Sequence, residues 1–276
     1  MSTSVEAPSG KGKSDENFPV GSRLIRASLR PHVHAFYDFA RQADDIADSA
    51  TLSSEDKVAR LDVMGAVLVG DKPDGSPSAT RLRASLAETG VTAQHSLDLL
   101  RAFRQDATKL RYASWDELIE YCRYSAMPVG RHVLDLHGES TDTYEPSDAL
   151  CASLQVLNHM QDCAGDLAEL DRCYIPQDML AAAGLTTDAV TASAASPGFR
   201  QVLNQMVELT QGLNRAGAAL PRRVKDRRLR VETAVIAGLA KRLTGRLHRE
   251  DPLAGRVKLR RGDVVGSVLL ALPWLR

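Results

Sequence analysis

Two acidic runs contain the side chains best suited to act together: Asp44-Asp45-Ile-Ala-Asp48 and Asp162-Cys-Ala-Gly-Asp166. Each sets carboxylates four residues apart, one turn along a single helix face. Like charges at that spacing repel by about 0.2–0.5 kcal/mol per pair, so the pattern is expected where a cation offsets the repulsion. Oxygen-only donors suit Mg²⁺, which takes one or two carboxylates and leaves room for substrate phosphates. The spacing therefore predicts Mg²⁺ at Asp44, Asp45, Asp48, Asp162 and Asp166, and a metal-bridged diphosphate between two helices.

The neighbouring side chains extend both runs into stripes. Tyr37, Arg41, Asp44 and Asp48 lie at offsets 0, 4, 7 and 11, which span about 60° of a helical wheel. Apolar residues such as Phe36, Phe39 and Ile46 cover much of the remaining face. Gln155, Asn158, Asp162 and Asp166 repeat the pattern at offsets 0, 3, 7 and 11. A diphosphate also calls for permanent cations. Arg41 and Arg172 qualify, because a guanidinium binds phosphate oxygens through two parallel N–H bonds. Tyr121, three residues before Tyr124, is a candidate for lining the reaction cavity. His32 and His34 point in different directions on a helix and make no shared metal site.

Elements must now position these groups. The chain has 276 residues, 43% apolar and 25% charged, with zero formal net charge, as in an ordinary soluble globule with no nucleic-acid partner. Apolar spacing is helical almost throughout, which predicts an all-α fold: one helical domain over 17–276 after a disordered segment over 1–16. Gly12-Lys13-Ser14 fails as a phosphate-binding loop, since the upstream glycine position is Ala7 and no strand precedes it. Helices are expected at about 21–29, ending before Pro31, then at 32–49, 54–69, 79–88, 93–110, 114–137 (kinked at Pro128), 146–169, 198–219 and 229–249. A short apolar tail follows. The run Val264–Leu275 is too short to span a bilayer and contains Pro273. Arg256, Lys258, Arg260 and Arg261 precede it, so the tail is a candidate for peripheral membrane contact. Four cysteines without zinc spacing, and no visible signal peptide, fit reduced thiols in a cytoplasmic protein. Nothing in the sequence speaks to oligomeric state.

At these residues the chain resembles the squalene/phytoene synthase family, from about Asn17 to Leu275. Three segments carry the resemblance: Tyr37-Asp-Phe-Ala-Arg41-Gln-Ala-Asp44-Asp45-Ile-Ala-Asp48, Tyr121-Cys-Arg-Tyr124-Ser-Ala-Met-Pro-Val-Gly130, and Asn158-His-Met-Gln161-Asp162-Cys-Ala-Gly-Asp166 followed by Arg172-Cys-Tyr-Ile-Pro176. Many members have Arg where Gln161 stands. Glu16–Val20, Phe103–Tyr112 and Ser125–Arg131 are similar to the bacterial hydroxysqualene synthase branch, which serves hopanoid biosynthesis.

The resemblance implies an isoprenoid-synthase bundle with a central cavity. It further implies Mg²⁺-dependent ionisation of presqualene diphosphate, a farnesyl-derived diphosphate, followed by capture of the cation by water. Tyr37, Arg41, Tyr121, Asn158 and Arg172 would assist, with Asn158 or Gln161 as candidates to hold the water. Two alternatives remain open at this point. One is condensation of two farnesyl diphosphates to presqualene diphosphate or squalene; the other is a non-catalytic pathway subunit.

Overall fold

The computed structural model describes residues 4–6 and 24–275, and among these the chain is helical, with no strand and a single isolated bridge between Arg111 and Cys173. Four helices come first: α1 (Arg30–Ala47), α2 (Ser54–Val69), α3 (Pro77–Thr89) and α4 (Gln94–Asp106). The expected helix over 21–29 is replaced, within 24–29, by turns in which Leu29 N–H donates to Arg26 O at 3.0 Å. Pro31 does not end a helix; it sits in the first turn of α1, where its missing N–H costs nothing. Sequence reading treated Pro31 as a stop because the residue before proline disfavours helix, whereas the N-terminal exception applies here.

Serines cap the next two starts. Ser53 Oγ accepts from Asp56 N–H at 3.1 Å, and Ser76 Oγ from Ala79 N–H at 3.2 Å. Glycines in the left-handed region, Gly70 and Gly90, end α2 and α3. Most of the segment 1–16, expected to be disordered, lies outside the described residues, as does Gly12-Lys13-Ser14. Ser4–Glu6, however, is built onto α3. Val5 N–H donates to Gly75 O, and the Glu6 carboxylate accepts from both Ser76 Oγ and Ser78 Oγ at 2.6 Å.

The expected helix over 114–137 is two helices, α5 (Trp115–Ser125) and α6 (Met127–Leu136). Ala126 leaves helical geometry at φ −128°, just before Pro128, whose ring clashes with a continuing helix. The long α7 (Tyr144–Leu170) carries the second acidic run, and α8 (Gln177–Ala182), α9 (Pro197–Gly217), α10 (Leu220–Arg223), α11 (Arg227–Leu247) and α12 (Arg261–Ala271) complete the chain. The apolar tail is therefore a helix in its own right.

By its contacts the chain forms two compact units, one of residues 1–108 and 128–140, the other of 109–127 and 141–276. In the first, α1 packs on α2, α3 and α4 around Phe36, Phe39, Ile46, Met64, Leu82 and Leu100. Burying each such side chain contributes about 1.5–3 kcal/mol. In the second, α7 packs on α5, α9 and α11. Gly217 of α9 lets the helices close up: a Cβ there would lie 3.0 Å from the Leu150 side chain. No disulfide joins the four cysteines, and three of them are buried.

Candidate functional site

Each acidic run occupies one helix, and each helix lies in a different unit. In the first unit, α1 places Arg41 between two aspartates of its own run. Arg41 Nη1 lies 3.0 Å from Asp44 Oδ2, and Nη2 donates to Asp45 Oδ1 at 2.7 Å. These are neighbours at i+3 and i+4, which α-helical geometry brings together without help from elsewhere. The Asp45 side chain is 2% exposed and turns into the fold, whereas that of Asp44 is 35% exposed. Asp48 is the C-cap of α1, its N–H donating to Asp44 O at 2.9 Å. Tyr37 is half-buried on the same helix.

Burial pushes the Asp44 carboxyl well above the usual carboxylate range. Asp48, and to a lesser degree Asp106 and Asp45, push the same way; Arg41 opposes them. Asp106, buried at the end of α4, thus adds a fourth carboxylate to the first run. Asp106 belongs to the segment Phe103–Tyr112, and its distance along the chain from α1 hides the proximity.

In the second unit, α7 presents Asp162 and Asp166 one turn apart. Asp162 is gripped by both edges of one guanidinium: Arg256 Nε lies 2.6 Å from Oδ1, and Nη2 donates to Oδ2 at 2.8 Å. Burial raises the Asp162 carboxyl despite that partner, and Asp166 adds to the rise. Next to it, buried Gln161 donates from Nε2 to Val257 O, so two adjacent α7 side chains hold two consecutive residues, Arg256 by its guanidinium and Val257 by its carbonyl. Gln161 Oε1 is buried without a hydrogen-bond partner among the described residues. Asp166 lies 3.9 Å from His159 Nδ1, and its backbone oxygen accepts from Arg172 N–H at 3.1 Å.

That last bond depends on how α7 ends. Asp171 adopts φ +52°, an uncommon left-handed conformation outside glycine, and turns the chain back on itself. Arg111 Nη2 fastens the turn at 2.6 Å from Asp171 Oδ1. Beyond it, Cys173 N–H donates to Leu110 O and Gln177 N–H to Tyr112 O, both at 2.9 Å. The segments 109–113 and 171–178, far apart in the sequence, are thereby paired, and Arg172 is buried where they meet.

Tyr121 stands in an aromatic group of the same unit. Its ring centroid lies 5.2 Å from Tyr112, 5.5 Å from Tyr174 and 5.9 Å from His159, while Tyr174 and His159 stack at 3.6 Å. Asn158 is half-buried beside them on α7. Burial holds the Cys163 thiol at about 12, with nearby Cys173 adding to the rise. Arg256 and His159, like Asp106, are residues that the sequence alone did not assign to the site. His159 could have been found, since it stands between Asn158 and Asp162; Arg256 could not, being 94 residues from its partner.

Helical bundles with these carboxylate-bearing helices define the isoprenoid-synthase class. The structure aligns with a dehydrosqualene synthase at TM-score 0.77 over 95% of this chain and 93% of that one, with 18% identity. It also aligns with a squalene synthase from Alicyclobacillus acidocaldarius at TM-score 0.75 and 33% identity, over 86% of this chain and 90% of that one. Residues 11–263 match the squalene/phytoene synthase family model, and the chain belongs to that family. Among curated relatives, hydroxysqualene synthases of Rhodopseudomonas palustris and Sinorhizobium fredii are 47% and 48% identical, covering 94% and 89% of this chain and 89% and 84% of theirs. That of Zymomonas mobilis is 44% identical over 95% of this chain and 89% of its own.

Proposed function

We propose that this isoprenoid synthase converts presqualene diphosphate and water to hydroxysqualene and diphosphate. The observation that carries the reading is near-half identity, over most of the chain, to three hydroxysqualene synthases, with both carboxylate runs in place.

Mg²⁺ fits the donors. The nearby groups that could ligate on α1 are carboxylates that raise one another's pKa, and among the described residues no three of His, Cys, Asp or Glu are placed to hold a metal by themselves. Mg²⁺ commonly completes its shell with water and substrate phosphates. Asp44 with Asp48, and Asp162 with Asp166, would each hold Mg²⁺ on their own helix, and when bound it supplies positive charge to the oxygens of the departing diphosphate. Asp45 has a different role: buried against Arg41, it aims that guanidinium. Arg41 and Arg172 stabilise charge on the diphosphate, each contributing a few kcal/mol in a dry site, about what one well-placed donor supplies elsewhere.

The substrate's C–O bond breaks with its electron pair on the diphosphate oxygen. The cyclopropylcarbinyl cation that remains rearranges, and water adds its oxygen to carbon and loses a proton. Tyr121, Tyr112 and Tyr174 offer ring faces, whose negative potential suits a cation and whose bulk excludes stray water. Asn158 and the open acceptor Gln161 Oε1 hold the single attacking water, and Tyr37 orients the diphosphate. The reading includes one domain over 17–276 and peripheral attachment to a membrane.

Purified protein incubated with presqualene diphosphate, Mg²⁺ and ¹⁸O-water, without a nicotinamide, should yield labelled hydroxysqualene. Likeness to a squalene synthase structure favours head-to-head condensation as the second reading. Farnesyl diphosphate consumption with no hydroxysqualene would select it.

A further inference from the structure

Eleven large apolar side chains are exposed among the described residues, and seven of them fall between Val264 and Leu275. Leu270 is 70% exposed, Leu269 59% and Val265 57%. A helix packed for its own stability does the reverse, turning its large apolar residues to the core. Here α12 is inside out. Its buried residues are the small Ser267 and Ala271, and its contact with α11 includes polar groups. Arg242 Nε donates to Ser267 Oγ at 3.1 Å, and Gly238 leaves room for the contact, since a Cβ there would lie 3.1 Å from that oxygen.

Charge is arranged to match. Lys258, Arg260 and Arg261 are exposed at the start of α12. Asp263 is the one acid in 252–275, and it is neutralised by Arg246 at 2.7 Å, with Arg242 at 3.8 Å. Glu250 is shared between Arg246, at 2.6 Å, and Arg260, at 3.5 Å. No described helix is long and apolar enough to cross a membrane, and α12, with 11 residues, is about 16 Å long. A helix of this kind lies in the plane of an interface, its apolar face among acyl chains and its cations among headgroups.

We infer that the outward face of α12, with its continuation to Leu275 and the basic collar of Lys258, Arg260 and Arg261, docks on an anionic lipid bilayer. An apolar protein partner would account for the leucines and leave the collar without a role, whereas anionic lipid accounts for both. The inference rests on the proposed reaction in one respect: a C30 isoprenoid alcohol needs an apolar phase to receive it.

Flotation of the full chain with phosphatidylcholine vesicles, with and without phosphatidylglycerol, tests it. Flotation should require phosphatidylglycerol, weaken at high salt and disappear in Leu269→Glu/Leu270→Glu. Lys258→Glu/Arg261→Glu should weaken binding about tenfold or more. In Trp115→Phe, where Trp274 is the one tryptophan left, anionic vesicles carrying brominated lipid should quench emission, a readout free of the charge-inserting variants. Failure of the unaltered chain to float, or no quenching, overturns the inference. So does a concentration-dependent dimer in lipid-free buffer that Leu269→Glu/Leu270→Glu dissolves, which would give the face to a second copy. Hydroxysqualene formation from detergent-dispersed substrate is measured alongside, so loss of the reaction and loss of docking are read separately.

Discussion

The two acidic runs solve one electrostatic problem differently. On α1 the balancing cation comes from the same helix: Arg41 reaches Asp44 and Asp45 within a turn, and Asp45 is almost wholly buried. On α7 the balancing cation comes from 94 residues away, and Arg256 and Asp162 meet where both retain solvent contact. A local, buried pair is part of the fold's own stability. A remote, half-exposed pair is closer to a clasp, replaceable by another cation at little cost. The first run is thus built around its arginine, while the second is covered by one.

The strongest way to break this comparison is to remove one carboxylate from each run. Asp44→Asn and Asp162→Asn should each lower hydroxysqualene formation by more than about a hundredfold, comparable to losing a key electrostatic group elsewhere. Neither should lower the melting temperature much, since each relieves repulsion from a neighbouring carboxylate. Turnover surviving in one variant would mean that the two runs do not share a task. Asp45→Asn is expected to behave in the opposite way. It strands Arg41 without its buried partner and should cost about 3 kcal/mol in urea unfolding.

How much of this was legible depends on sequence distance. The stripe Tyr37, Arg41, Asp44 and Asp48 was readable because 3.6-residue periodicity relates its members directly. So was the extent of α1, expected over 32–49 and found at Arg30–Ala47. What Asp45 does was harder to read: spacing put it among the ligands, and only packing shows it turned inward beneath Arg41. The grip of Arg256 on Asp162 and the approach of Asp106 to Asp44 leave no periodic trace. The break at Ala126 was foreseen as a kink, yet whether proline bends or splits a helix depends on tertiary contacts that local sequence does not encode. For α12 the apolar composition was evident, but not which face would turn outward.

Acid should sharpen the contrast from the side of the first unit. His132 on α6 is 1% exposed, stacked on Phe36 at 3.8 Å, and neither ring nitrogen has a hydrogen-bond partner among the described residues. Burial, with His95 and His32 adding to it and Asp135 opposing, lowers its pKa to about 3. The folded state therefore favours neutral imidazole. That contribution is fully present above about pH 6.5 and is lost as pH falls toward 3, by about 1.4 kcal/mol per pH unit. Urea unfolding across that range should show the slope, and His132→Phe should flatten it.

The smallest effect belongs to the clasp. Arg256→Ala should change stability by under about 1 kcal/mol, because exposed pairs contribute little. It should also tighten Mg²⁺ binding in a direct titration, since Asp162 no longer has a competing cation. A destabilisation as large as that of Asp45→Asn would erase the distinction between the two runs.

The seat beneath α12 has a consequence for motion. A helix fastened by Ser267, Ala271 and the Asp263 ion pairs gives up little apolar burial when it lifts away, so its opening free energy should be far below that of the global unfolding transition. Amide hydrogens of Val265–Ala271 should then exchange with solvent well before those of Leu239–Leu247 on α11, which bury leucines in the core. The end of the chain behaves, in this sense, as a separately melting layer on a more durable body.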